Sequence, residues 1–134
     1  MTLALDASAL LARYLESEER EVVLAAMAAD PDWCASALAL TEALMLVERV
    51  TDDPLQRDEL RRALRDDWER IAAVPVDQAC LDRAAELGRS QPLRSVDALH
   101  LAAADRLPRP VTFVTFDHHQ IGVALALGFD VVST

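Results

Sequence analysis

An α/β fold, with a parallel sheet covered by helices on both faces, is what this chain predicts. Five short strand candidates alternate with longer stretches of helical periodicity. Pro31, Pro54, Pro75, Pro92, Pro108 and Pro110 fall near the boundaries between them, and Gly128 fits the position just after a helix. Repeated strand–helix–strand units pack as parallel strands with helices above and below. The 134 residues suit one domain, and a hydrophobic fraction of 52% is enough for a real core.

The first strand is expected near 2–6. It is short and wholly apolar through Leu3-Ala4-Leu5, which suits a central position in the sheet. Helical patterns follow at 7–16 and 18–29, then a strand at 32–36. Helices are expected at 37–51 and 54–67, a strand at 70–75, and helices at 77–89 and 95–106. A strand at 112–116, a helix at 118–127 and a last strand at 129–133 complete the chain. The 54–67 helix carries Arg57, Asp58, Glu59, Arg61, Arg62, Arg65 and Asp66 above Leu55, Leu60 and Leu64. It reads either as a solvated amphipathic helix with i,i+4 pairs or as an arginine strip facing RNA. There is no internal repeat, linker or low-complexity segment.

Composition narrows the function. The net charge is −10, which argues against broad, nonspecific nucleic-acid binding, because that needs a basic footprint. Any nucleic-acid contact must be local, through a metal and a few arginines. A basic protein partner is equally compatible. All 13 basic residues are Arg. Without a Lys there is no P-loop, and no phosphotransfer site of the dehalogenase or receiver kind, which pair Lys with an Asp cluster. Asp6-Ala7-Ser8 also lacks the second Asp of a dehalogenase-like motif. The apolar stretches are too short or interrupted to cross a membrane, and the N-terminus reads as a strand rather than a signal peptide. Cys34 and Cys80 are far apart in sequence and read as buried thiols of a cytoplasmic protein.

Four carboxylates stand in apolar surroundings. Asp6 ends the first strand, and Asp117 closes Val111-Thr112-Phe113-Val114-Thr115-Phe116. Glu42 has Leu38, Ala39, Met45 and Leu46 as its helical neighbours, so it projects from the buried face. Asp97 leads an apolar stripe through Leu101 and Ala104. Each has an ordinary explanation. Asp6 suits an N-cap, and Glu42 suits the core edge with Arg49 as its partner. Asp97 suits the positive end of a helix dipole. Asp117-His118-His119-Gln120 looks like a capping box. Together, however, they lie at strand ends and flanking helices that a parallel sheet brings to one edge, where such folds place ligands. An all-oxygen set suits Mg²⁺ or Mn²⁺ rather than Zn²⁺. His100, His118 and His119 are secondary candidates; the last two diverge on a helix and suit no shared ion.

With those residues in view, the chain resembles a PIN domain, and more closely the VapC-like toxins of toxin–antitoxin modules. The matching pieces are Leu5-Asp6-Ala7-Ser8-Ala9-Leu10-Leu11, Leu40-Thr41-Glu42-Ala43, Ser95-Val96-Asp97-Ala98-Leu99-His100-Leu101-Ala102 and Thr115-Phe116-Asp117. Their order and spacing cover essentially all of residues 1–134. The resemblance implies a single PIN-like ribonuclease domain, a three-layer α/β/α fold with a parallel five-stranded sheet of order 3-2-1-4-5. It implies an Mg²⁺- or Mn²⁺-dependent endoribonuclease leaving a 5′-phosphate and a 3′-hydroxyl. Asp6, Glu42, Asp97 and Asp117 would be the catalytic, metal-binding acids, supported by Ser8 and Thr115. RNA as substrate, a cognate VapB-like antitoxin, a homodimer, a cytoplasmic location and no membrane association are further implications. The family often has a basic residue just after its last Asp, where this chain has His118 and His119. Two other readings remain at this point. One is a catalytically silent binding module of the same fold, and the other is a housekeeping PIN nuclease without an antitoxin.

Overall fold

The computed structural model describes residues 1–134. In chain order the elements are β1 (Thr2–Leu5), α1 (Ala7–Ala12), α2 (Glu18–Ala29), β2 (Trp33–Ser36), α3 (Ala37–Val50), α4 (Pro54–Trp68) and β3 (Ala72–Val74). Then come α5 (Gln78–Ser90), α6 (Ser95–Asp105), β4 (Val111–Val114), α7 (His118–Ala126) and β5 (Asp130–Val132). The sheet has five parallel strands in the order β3-β2-β1-β4-β5. That order places β1 at the centre, hydrogen-bonded on one side to β2 and on the other to β4.

Strand alternation divides the core between the two faces. Leu3, Leu5 and Val114 pack with buried residues of α1, α2, α3 and α4. Ala4, Val111 and Phe113 pack with α5, α6 and α7 and with Phe129. The result is the three-layer α/β/α arrangement. Each helix keeps an apolar stripe inward, such as Ala39, Ala43 and Val47 of α3.

Three expectations need correction. The first helix stops at Ala12, because Tyr14 and Leu15 donate their amides to Leu11 and Ala12 in tight i→i−3 turns. The 112–116 strand occupies Val111–Val114 instead, leaving Thr115 and Phe116 beyond its end, where they can reach the site. Leu55 is exposed rather than packed beneath α4; only Leu60 and Leu64 are buried there. The arginines of α4 are largely satisfied locally: Arg57 and Arg61 pair with Glu48, and Arg62 with Asp58. This is the solvated, ion-paired helix, not a free cationic strip.

Tyr14 ties α1 to α4. Its hydroxyl donates to Asp67 and lies 3.2 Å from the Ala63 carbonyl. Burial pushes the Tyr14 hydroxyl well above its ordinary value, and the Asp67 carboxylate adds to the shift. Burial pushes Asp67 up, but the hydroxyl of Tyr14 and the guanidinium groups of Arg70 and Arg13 outweigh it, so Asp67 titrates low. Tyr14→Phe should therefore cost about 1.5–3 kcal/mol, the usual worth of a hydrogen bond to a charged group. Urea denaturation of both proteins measures it, and an unchanged midpoint would show that the tie is not used.

Candidate active site

The carboxyl ends of β1 and β4 lie side by side, with Leu5 opposite Val114. Parallel register therefore brings the residues just past them together. Asp6 follows β1 and Thr115 follows β4. Asp6 is buried and caps α1, accepting from the Ala9 amide at 2.9 Å through Oδ1. Ser8 Oγ donates to the same oxygen at 2.7 Å. Thr115 Oγ1 donates to Oδ2 at 2.6 Å, and Gln120 Nε2 does so at 3.2 Å. Ser8 and Thr115 are themselves held by the β4–α7 turn: Phe116 N donates to Ser8 Oγ and Asp117 N to Thr115 Oγ1, both at 3.0 Å. Both hydroxyls singled out in the sequence, Ser8 and Thr115, hydrogen-bond Asp6.

Asp97 sits in the first turn of α6 and is 1% exposed. Its Oδ1 accepts from Gln120 Nε2 at 3.0 Å, so one amide nitrogen joins Asp6 to Asp97. Asp117 caps α7 by accepting from the His119 amide at 3.0 Å. Arg94 joins Asp97 to Asp117. Its Nε and Nη2 meet Asp97 at 3.0 and 3.2 Å, and Nη2 also meets Asp117 Oδ2 at 2.9 Å. Three aspartates from three elements thus form one connected network.

Glu42 stands on the other wall. It is half-buried rather than turned into the core, because Ala39, Ala43 and Val47 take the inward stripe of α3. Leu38, Met45 and Leu46 line the same cleft. The basic side chain that approaches Glu42 is His100, not Arg49: Nε2 of the imidazole is 3.6 Å from its Oε2, and Nδ1 is 2.9 Å from Ser36 Oγ. The cleft encloses about 390 Å³ between α3 and the aspartate network, with Arg49 and Arg94 as its lining cations. No arginine of α4 lines it.

Sequence reasoning missed Gln120 and Arg94. Its position in the sequence suits a capping box, but Gln120 is buried and its amide turns inward to Asp6 and Asp97. The usable signal was its lone amide among Ile121, Val123 and Ala124. Arg94 lies three residues before Asp97, a spacing that lets a first-turn acid pair backward. His118 is exposed, and His119 turns to Asp117 Oδ1 at 3.0 Å.

Charge and burial set the chemistry. Burial pushes Asp6 above the ordinary aspartate range, against the hydrogen bonds from Thr115, Ser8 and Ala9. Burial acts the same way on Asp117, but donors from His119 and the nearby Arg94 charge outweigh it and bring its carboxyl down. The two therefore act oppositely on stability. With its pKa raised on folding, Asp6 favours the folded chain at low pH and loses that contribution as pH rises through the raised value. Asp117 favours folding above its unfolded value and loses that as pH falls. In metal-free solution the native chain should thus lose stability as pH rises past the ordinary carboxylate range, and Asp6→Asn should abolish that decline. Urea midpoints between pH 4 and 8 measure it; parallel profiles would contradict the assignment.

Four carboxylates, Asp6, Glu42, Asp97 and Asp117, outnumber the two guanidinium groups of Arg49 and Arg94 at the cleft. Hard oxygen donors of this kind match Mg²⁺ or Mn²⁺. Gln120 Oε1 is buried without a partner, so its amide has a spare acceptor beside the acids. In the present arrangement no three His, Cys, Asp or Glu side chains stand close enough to share an ion, since Arg94 and Gln120 lie between the acids. The oxygen donor set fits a divalent cation by its chemistry, and Arg94 occupies three of its carboxylate oxygens.

Comparison with known proteins agrees with this architecture. The PIN domain family matches residues 3–126. Ribonuclease VapC47 of Mycobacterium tuberculosis (strain CDC 1551 / Oshkosh) is 32% identical over 99 residues, covering 73% of this chain and 68% of that protein. VapBC2 from Rickettsia felis, solved bound to a promoter DNA fragment, superposes with a TM-score of 0.71 at 14% identity, over 100% of this chain and 99% of that one. VapBC-5 from Mycobacterium tuberculosis gives 0.65 at 18% identity, over 100% of both chains. The strand order and the matched span, with the identity to a curated VapC ribonuclease, show that this chain belongs to the PIN domain family, among its VapC-like members.

Proposed function

We propose that this chain is a divalent-cation-dependent endoribonuclease and the toxin of a toxin–antitoxin pair. The observation that carries the reading is the aspartate network: Asp6, Asp97 and Asp117, drawn from three elements, converge at the carboxyl edge of a parallel sheet. Kinship with a VapC ribonuclease supports RNA as the substrate.

In this reading Asp6, Asp97 and Asp117 hold Mg²⁺ or Mn²⁺, with Glu42 contributing directly or through water. A bound ion of this kind supplies Lewis acidity toward the phosphate and lowers the pKa of water. The protein does the remaining work. Ser8, Thr115 and the Ala9 amide fix the Asp6 carboxylate, so its orientation is set before any ligand arrives. Gln120 fixes Asp97 relative to Asp6. Glu42, with a quarter of its side chain exposed, faces the cleft from the opposite wall, where it orients the attacking water and accepts its proton. In-line attack by that water leaves a 5′-phosphate and a 3′-hydroxyl.

The test is digestion of an RNA oligonucleotide with Mg²⁺, with Mn²⁺ and with EDTA. Cleavage with the cations and none with EDTA is expected. Cleavage that persists in EDTA at wild-type rate would overturn the cation-dependent reading.

The expected partner is a VapB-like antitoxin. The structural neighbours include VapBC toxin–antitoxin proteins, and the acidic cleft of a chain with charge −10 suits a basic peptide segment. We also assign a homodimer and a cytoplasmic location. The apolar groove of α5 and α6, lined by Leu81, Leu93 and Leu99, supports a self-association surface. No helix is long and apolar enough to cross a membrane.

A further inference from the structure

Arg94 precedes α6 with an extended backbone (φ −68°, ψ 155°), and its side chain folds over the mouth of the cleft. Its fork takes both oxygens of Asp97 and one of Asp117. The partners differ sharply in burial. The Arg94 side chain is 72% exposed, against 1% for Asp97 and 18% for Asp117. The guanidinium therefore lies over the acids from the solvent side, held by charge rather than packing, so it can move into solvent without opening the core. It also occupies the oxygens that an ion between Asp97 and Asp117 would need. A divalent cation placed there would repel it. Gln120 Oε1 is buried and without a partner, a spare acceptor on the amide that bonds Asp6 and Asp97.

An RNA strand in this cleft meets few positive groups. Arg49 and Arg94 are the cations that line it. A guanidinium fork matches two phosphate oxygens as well as it matches a carboxylate.

We propose that Arg94 works in two positions, bridging Asp97 and Asp117 when the chain is free of metal, and displaced by an entering divalent cation onto a phosphate of the bound RNA. The inference rests on the cation-dependent ribonuclease reading above. It makes cation and RNA binding mutually reinforcing. The ion releases Arg94, and the phosphate keeps Arg94 from returning, so each ligand raises affinity for the other by the same factor.

Two titrations test it on the full chain. In the first, Mn²⁺ is titrated by calorimetry without RNA into wild type, Arg94→Gln and Arg94→Lys. Arg94→Gln should bind Mn²⁺ about 5-fold tighter or more, the lower range of ordinary coupling, while Arg94→Lys stays near wild type. In the second, binding of a labelled single-stranded RNA is followed against salt in Ca²⁺, with intactness checked on a gel. Arg94→Gln should bind RNA more weakly, and its log–log salt slope should shrink by about 0.7, one phosphate contact on a single strand. Equal or weaker Mn²⁺ binding by Arg94→Gln would overturn the displacement. An unchanged salt slope would overturn the phosphate contact. Wild type and Arg94→Gln that both bind no Mn²⁺ would sink the underlying nuclease reading as well, whereas tight binding with no effect of Arg94→Gln sinks this inference alone.

Discussion

Asp97→Asn should lower cation-dependent RNA cleavage by on the order of 10³-fold or more, with the chain still folded. The side chain keeps its shape, but it loses charge where three elements meet, and its new NH₂ group must face either Gln120 Nε2 or the Arg94 fork. Because Asp6 and Asp97 share one Gln120 nitrogen, they should behave as a unit. Adding Asp6→Asn should then cost little more than the first substitution. Ser8→Ala should cost less, because the Ala9 amide still holds the same Asp6 oxygen. Initial rates on a defined oligonucleotide, with circular dichroism as the folding control, check all four proteins. Full activity in Asp97→Asn would mean that the cleavage comes from another site or a contaminant.

Phe113→Ala should destabilise the fold by about 3–5 kcal/mol, the usual cost of truncating a buried Phe. Phe113 is 1% exposed on β4, and its ring stacks on Phe129 with centroids 5.8 Å apart. Total stability for a domain is only about 5–15 kcal/mol, so much of it would go. The loss should reach the site, since β4 sets where Thr115 and Asp117 begin. The contrast is Met45→Ala, which should stay within about 0.5 kcal/mol because Met45 is 62% exposed. Equal urea midpoints for the two variants would contradict the division of the core described above.

The backbone plan was readable because apolar runs and punctuation agree along this chain. Leu3-Ala4-Leu5 is bounded by Asp6, and Pro54 opens α4 at its first turn. The strand order was not readable from periodicity, since parallel strands of similar composition carry no address; it came through family resemblance and is the order found. Asp6 and Asp117 illustrate a different limit. Their capping roles are real, and so is their convergence, because a strand end in a parallel sheet is both a helix N-terminus and the ligand edge. Gln120 falls under the same overlap: its position suits a capping box, while in the fold its amide faces Asp6 and Asp97. Glu42 misled in the opposite way. Its apolar neighbours suggested a core position, yet Met45 and Leu46 line the cleft, and an apolar rim resembles a core stripe in one dimension. Arg94 carried no pattern at all, since its function depends on two acids brought together only by folding.

The central claim is that Asp6, Asp97 and Asp117 belong to one divalent-cation site. Thermal unfolding with and without Mn²⁺ tests it most directly, independent of any substrate. A ligand that binds only the folded chain stabilises it by about 2.7 kcal/mol at 100 times its Kd. Wild type should therefore melt higher as Mn²⁺ is added, and Asp6→Asn and Asp97→Asn should each lose most of that gain while remaining folded without metal. Equal Mn²⁺-induced shifts in wild type and both variants would contradict the shared site.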